Sequence, residues 1–294
     1  MASLHGILRG ISREAPILIA GPTASGKSAL AMAVAERHDA QIINADALQV
    51  YRDWRILTAR PDAADEERVP HMLYGHVPGD QPYSVGDWLR EIAPLLDGPQ
   101  PVIVGGTGLY FTALTEGLAD IPATPDTVRA TADARLRAEG HRGLLAELDA
   151  PTAARIDTNN PARIQRAWEV LTTTGRGLAA WQEETAPPLL PPADAQPIVL
   201  NAPPDWLNPR IEQRVTAMLA GGVIAEAQAN RDGWHPTLPS AKAIGAAALM
   251  DHLDGKLDLD AVAQQMVTLT RQYAKRQRSW FRARMSKWNW HDAH

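Results

Sequence analysis

Two hydrophobic patterns alternate along the chain, and they predict different elements. Ile17 to Ala20, the run Gln41-Ile-Ile-Asn, and Pro101-Val-Ile-Val are short apolar stretches of strand length ending in turn residues, as parallel strands buried on both faces read. After the first of them Leu30 and Val34 continue at helical spacing. Residues 121 to 185 carry no strand-like run. There Pro125 opens one helix, and Asn160 and Pro161 take the N-cap and first position of another, in which Ile164, Trp168 and Leu171 recur before Gly175 stops it. A stiff Pro187-Pro-Leu-Leu-Pro-Pro connection leads to Pro197-Ile-Val-Leu, read as the last core strand, and Asn208-Pro209 starts a helix with Ile211, Val215 and Met218 inward and Gly221-Gly222 at its end. In the final helix Leu259, Val262, Met266, Leu269, Tyr273 and Trp280 form an apolar stripe, while Arg271, Lys275, Arg278 and Arg282 fall on the opposite face. The pattern predicts an α/β fold: a parallel sheet flanked by helices, begun in residues 1–120, interrupted by a helical insertion over 121–195, and completed with a basic C-terminal helix in 196–294.

The first strand passes directly into Gly21-Pro22-Thr23-Ala24-Ser25-Gly26-Lys27-Ser28, a full GxxxxGK[ST] phosphate loop. Gly21 and Gly26 permit inward-turned backbone amides, and the following helix aims its positive end at the same anion. Lys27 adds a charge and Ser28 a Mg²⁺ ligand. The fold class is therefore P-loop NTPase-like, and the motif leaves open whose phosphates are held.

In such a sheet the loops leaving neighbouring strands line one crevice, so Asp46, after the second strand, is either a base or metal ligand facing the phosphate loop or the cap of the next helix. Arg60 is a candidate second phosphate clamp or a solvated side chain. Pro101 to Tyr110 repeats the strand, glycine turn and helix, and Thr107 either caps that helix or contacts substrate. No apolar strand ending in an acid follows, so the metal-holding partner usual in ATP-hydrolysing phosphate loops is missing. His71 and His76 lie too far from other ligand types to suggest zinc.

Composition changes the picture in two places. The absence of cysteine excludes disulfides and thiolate metal sites and fits a reducing cytoplasm; residues 1 to 15 show no export signal, and no apolar run reaches membrane-spanning length. The net charge of −5 conceals an asymmetry, because from Arg271 onward there are seven Lys/Arg and one acid. Any polyanion belongs near the C-terminus, where Trp280, Phe281, Trp288 and Trp290 add aromatic surface.

Taken in order, GPTASGKS at 21–28, D-x-x-Q-x-Y at 46–51, TARP at 58–61, VGGTGLYF at 104–111, NNPARIQRAWEV at 159–170 and TRQYAKRQRSWFR at 270–282 resemble the tRNA dimethylallyltransferases. The resemblance implies that the loop (Gly21, Pro22, Thr23, Ala24, Ser25, Gly26, Lys27, Ser28), with Arg60, holds the diphosphate of dimethylallyl diphosphate rather than ATP, which accounts for the missing acidic strand end. Lys27, Thr23, the loop amides and Mg²⁺ on Ser28 would stabilise departing diphosphate. Asp46 matches the general base that takes a proton from the N6 amine of the adenosine just 3′ of the anticodon, with Thr107 and Gln49 positioning that base. Asp46, Ala47, Leu48, Gln49 and Thr107 would meet the target nucleotide. Arg129, Arg163, Gln165 and Arg166 of the insertion, and Lys275, Arg276, Arg278 and Arg282 of the last helix, match contacts to the anticodon stem.

The chain departs from the family pattern at Ala47 (commonly Ser), Leu57 (Gly), Arg60 (Lys) and Ala246-Ala247 (an aromatic-basic pair). A cytoplasmic monomer is expected. Two other classes remain in view: a small-molecule kinase using ATP, and a non-catalytic RNA-binding protein.

Overall fold

The computed structural model describes residues 4–293; residues 1–3, part of the stretch read as lacking an export signal, lie outside the described residues. Six strands, β1 (Ile17–Ala20), β2 (Gln41–Asn44), β3 (His71–Met72), β4 (Pro101–Gly105), β5 (Gln196–Asn201) and β6 (Asn289–Asp292), form one sheet in the order β3-β2-β4-β1-β5-β6. Every pairing is parallel. All residues of β1, β2 and β4 are buried, as the unbroken apolar runs require. Alternate side chains enter two layers. Ile17, Ile19, Ile42, Val102 and Val104 pack with Leu30, Ala31 and Val34 of the helix Lys27–His38. Leu18, Ala20, Ile43 and Ile103 pack with Trp88, Phe111 and Phe281.

The structure corrects several sequence expectations. Pro197-Ile-Val-Leu is not the last strand, since Asn289–Asp292 pairs beyond it as an edge. Trp288 is consequently 8 % exposed and Trp290 packs against the same core, while Phe281 is 1 % exposed; these three are core rather than aromatic surface. The helix assigned to Asn208-Pro209 begins at Pro204 and runs to Ala220 with Pro209 inside it, where the proline forgoes one backbone bond in the second turn. Ile211, Val215 and Met218 are buried as read.

The C-terminal helix, Leu259–Arg284, is capped by the Asp258 side chain on the Ala261 amide. Its buried positions are Val262, Met266, Ala274, Gln277 and Phe281, while Leu259 and Leu269 are exposed. The buried face thus rotates by roughly a quarter turn along the helix at 100° per residue, as its start packs beside Val215 and Met218 and its end beside Phe111. A straight stripe cannot follow that rotation. The opposite face is altered too, because Arg271 is ion-paired with Glu212 and is not free.

The fold divides into two compact units, residues 1–115 with 190–294, and residues 116–189. The second begins and ends earlier than the 121–195 read from the sequence. It has its own core of Ala132, Leu144, Ile164 and Trp168, from the helices Asp126–Glu139, His141–Ala146 and Pro161–Thr174. The last of these is capped by Asn160 on the Arg163 amide, starts at Pro161 and ends at Gly175 with φ 69°.

Candidate active site

The ends of β1, β2 and β4 deliver three loops to one edge of the sheet. In the first, Ala24 and Gly26 take φ of 62° and 86°, turning the chain into a helix whose N-cap, Gly26, offers no side chain to its free amides. Those amides are left for an anion. Ser25 is turned inward: its hydroxyl is buried without a partner, and a Cβ on Gly21 would lie 2.7 Å from it, which explains the glycine. The Lys27 ammonium reaches back to the Pro22 carbonyl at 3.5 Å. Burial pushes Lys27 down to about 8, opposed by Asp46 and helped by Arg214.

Asp46 is 8 % exposed and held from several sides. Asn44 grips its backbone twice, accepting from the Asp46 amide at 2.8 Å and donating to its carbonyl at 3.0 Å. Asp46 Oδ1 accepts from the Leu48 amide at 3.0 Å, and Oδ2 lies toward Gly106, where a Cβ would stand 3.1 Å away. Asp46 is therefore no helix cap; it closes a turn with one oxygen, leaves the other beside Gly106, and lines the inner cavity. The Thr107 hydroxyl accepts from the Ala47 amide at 2.9 Å. Thr107 precedes the helix Gly108–Glu116 and acts by tying the Asp46 turn to β4.

An outer cavity of about 400 Å³ is lined by Gly26, Lys27, Ser28, Arg210, Gln213 and Arg214. An inner one of about 60 Å³ shares Lys27, Ser28 and Arg214 and adds Thr23, Asp46, Leu48, Gln49 and Tyr273, with apolar walls from Leu57, Val215, Met218, Ile244 and Met266. The Gln49 amide nitrogen is spent on the carbonyls of Thr58 and Ala59, both at 2.9 Å, so only its oxygen can face a ligand. The 54–60 turn is held from below by Glu226, whose carboxylate accepts from the amides of Arg55, Ile56 and Leu57 at 2.6, 2.8 and 2.9 Å.

Arg60 does not join the phosphate loop. It lines neither cavity and donates to the Tyr51 carbonyl at 2.8 Å, packed so closely on Gly75 that a Cβ there would lie 1.7 Å from it. The cations beside the loop are instead Arg210, which donates to the Ala24 carbonyl at 3.1 Å, and Arg214, to which no sequence motif points. Arg214 lies on the helix Pro204–Ala220 between buried Ile211, Val215 and Met218, donates to the Thr58 carbonyl at 3.3 Å, and is pushed down by burial while Asp46 opposes that shift. An arginine set among the apolar positions of an amphipathic helix is the one signal the sequence offers for it.

In the second unit, Glu169 is 3 % exposed and gathers Arg129 at 3.5 Å, Arg166 at 3.9 Å and Gln165 at 3.1 Å. Arg166 also donates to Thr124 at 2.7 Å, and Arg163 is exposed. On the C-terminal helix Lys275, Arg276 and Arg282 are exposed, with Arg276 over the Tyr273 ring at 5.7 Å, while Arg278 is partly desolvated beside Arg282. Among the described residues no group of three or more His, Cys, Asp or Glu is arranged to hold a metal, and no helix is long and apolar enough to cross a membrane.

A phosphate loop on a parallel sheet, opening onto a cavity that combines a buried carboxylate and a lysine with apolar side chains along one wall, defines the class as a P-loop protein. The sequence profile described as IPP transferase matches residues 49–284, and that described as isopentenyl transferase matches 15–71. Proteins named tRNA dimethylallyltransferase are 59 % identical over 283 residues in Cereibacter sphaeroides (96 % of this chain, 90 % of the relative) and 57 % over 284 in Dinoroseobacter shibae (96 % of each). Among solved structures, the Bacillus halodurans tRNA isopentenylpyrophosphate transferase superposes with a TM-score of 0.66 at 33 % identity, covering 95 % of this chain and 90 % of that one. A eukaryotic dimethylallyltransferase described as acting on tRNA gives 0.78 at 26 %, covering 95 % and 73 %. The chain belongs to the IPP transferase family, the tRNA dimethylallyltransferases.

Proposed function

We propose that the protein transfers the dimethylallyl group of dimethylallyl diphosphate to the N6 amine of the adenosine 3′-adjacent to the anticodon in a tRNA stem-loop, releasing diphosphate, as a cytoplasmic monomer. The observation that supports this best is the polarity of one cavity. Lys27, Ser28 and Arg214 mark a phosphate end, Asp46 lies within reach of their charges, and Leu57, Val215, Met218 and Met266 make walls suited to a five-carbon chain rather than a nucleoside.

In the reaction the N6 lone pair forms a bond to C1 of the allyl group as the C1–O bond breaks, its electron pair leaving on the diphosphate. Lys27, Arg214 and the unspent loop amides gain attraction as that charge develops, which is where binding accelerates a reaction. The N6 proton passes to Asp46 Oδ2, the oxygen not committed to Leu48. Mg²⁺ fits the site as a one-ligand ion: Ser28, whose hydroxyl would be the ligand, lines both cavities, and diphosphate oxygens and water would complete the shell. When bound, it would neutralise diphosphate charge. Lys275, Arg276, Arg278 and Arg282, and Arg129, Arg163 and Arg166 with Gln165, are the side chains proposed to meet the RNA; Glu169 holds Arg129 and Arg166 in one preset orientation within their own unit.

Incubation with bulk tRNA and either labelled dimethylallyl diphosphate or γ-labelled ATP tests the reading. Label should enter tRNA from the first alone. Transfer from ATP would make the protein a kinase, and tRNA binding with transfer from neither would leave an RNA-binding protein.

A further inference from the structure

The sequence run 275–282 reads as a cationic RNA face, yet Gln277, in its middle, is 5 % exposed and points the other way. Its Oε1 accepts from the Thr23 amide at 2.8 Å and its Nε2 donates to the Gly106 carbonyl at 2.9 Å. One carboxamide thus bridges the phosphate loop after β1 and the glycine turn after β4. A Cβ on Gly106 would lie 2.1 Å from Nε2, so the turn is shaped around this side chain.

We propose that Gln277 is a positioning residue for the donor loop and not an RNA contact, an inference that rests on reading that loop as the diphosphate cradle. Thr23 carries the first loop amide after Pro22, and because Gln277 occupies it, the diphosphate meets the free amides that follow, while Thr23 itself lines the inner cavity. The bridge demands an acceptor and a donor at opposite corners of one planar group. Glutamate at this position cannot donate to Gly106 and would bring a second carboxylate close to Asp46; methionine fills the space but bonds neither group. Lys275, Arg276 and Arg282 are exposed while Gln277 is buried, so one helix carries outward cations and an inward carboxamide that sets the loop.

Gln277→Glu and Gln277→Met should lower the single-turnover rate constant at saturating donor and tRNA by about 10- to 100-fold, as sub-ångström misplacement of a reacting group does. The affinity for tRNA and its salt dependence should match the wild type. A merely structural loss would cut the amplitude and leave the rate constant, because a single turnover is blind to inactive molecules. An unchanged rate constant, or a selective loss of tRNA affinity, overturns the proposal. Amide exchange in the wild-type protein tests the bridge without any variant: the Thr23 amide should exchange at least about 10-fold more slowly than that of Gly26, and equal rates would refute it. Failure of the wild type to use dimethylallyl diphosphate would instead count against the functional reading, with the Thr23 exchange still deciding the bridge.

Discussion

Lys27→Met should make the protein more stable and nearly inactive, and the pH at which the stability gain fades identifies the cause. Lys27 falls from 10.5 to about 8 in the folded state chiefly through desolvation, so its charge is disfavoured there even with Asp46 nearby. At about 1.4 kcal/mol per pKa unit the shift corresponds to at most about 3.5 kcal/mol, and since the residue keeps some exposure to the cavity, about 1 to 2 kcal/mol is the expected gain for the neutral thioether. The sign follows from proton counts. Below pH 8 both folded and unfolded wild type carry the proton, and the gain of Lys27→Met is constant. Between about 8 and 10.5 only the unfolded wild type holds it, so wild-type stability climbs and the gain disappears. Urea denaturation at pH 7, 8.5 and 10 measures this directly. Added diphosphate should reverse the order at pH 7, because an anion stabilises the ammonium in the wild type alone. A variant less stable than wild type at pH 7, or a gain independent of pH, would show that Lys27 is not held charged against its environment.

Asp46→Asn should slow single-turnover transfer by roughly 10²- to 10⁴-fold with tRNA affinity nearly unchanged, the signature of a missing general base; an unaltered rate would remove Asp46 from the chemistry. Arg214→Gln should raise the KM for the donor by about 10- to 100-fold, one charge-assisted phosphate interaction, and retention of donor affinity would return Arg214 to a bracing role on Thr58. Replacing Lys275 and Arg282 together by Gln should make the slope of log tRNA affinity against log salt shallower by about 0.7 to 0.9 for each phosphate no longer neutralised, alike for tRNAs of different sequence; an unaltered slope would mean that this face is only solvated. Arg271 is unsuitable for that experiment, since its removal would also free Glu212.

The parts of the site legible in the sequence are those encoded within a dozen residues. Gly21 to Ser28 and Asp46 announce themselves because strand, turn and helix start are contiguous. Arg214, Gln277 and Glu226 do not, because each acts on backbone far away in sequence: Gln277 on Thr23 and Gly106, Glu226 on Arg55 to Leu57. Arg60 misleads for the complementary reason. It sits in a recognisable motif, but its partner is the Tyr51 carbonyl, and backbone carbonyls leave no trace in composition. The edge strand Asn289–Asp292, with exposed ends and polar content, carries no apolar run, and only its pairing with β5 defines it.

The Glu226 carboxylate also sets when a donor site can exist during synthesis. The cavity wall at Leu57 leaves the ribosome early, yet the acid that accepts its amide is 169 positions later, and β1 waits comparably long for β5. Pairings of such separation close late. A nascent chain that has exposed its phosphate loop therefore has an anion-binding turn without the cavity wall that Glu226 braces, and that wall is complete only once the C-terminal third has folded in. Assembly of the cavity thus comes late on the chain, and products truncated before Glu226 should lack it.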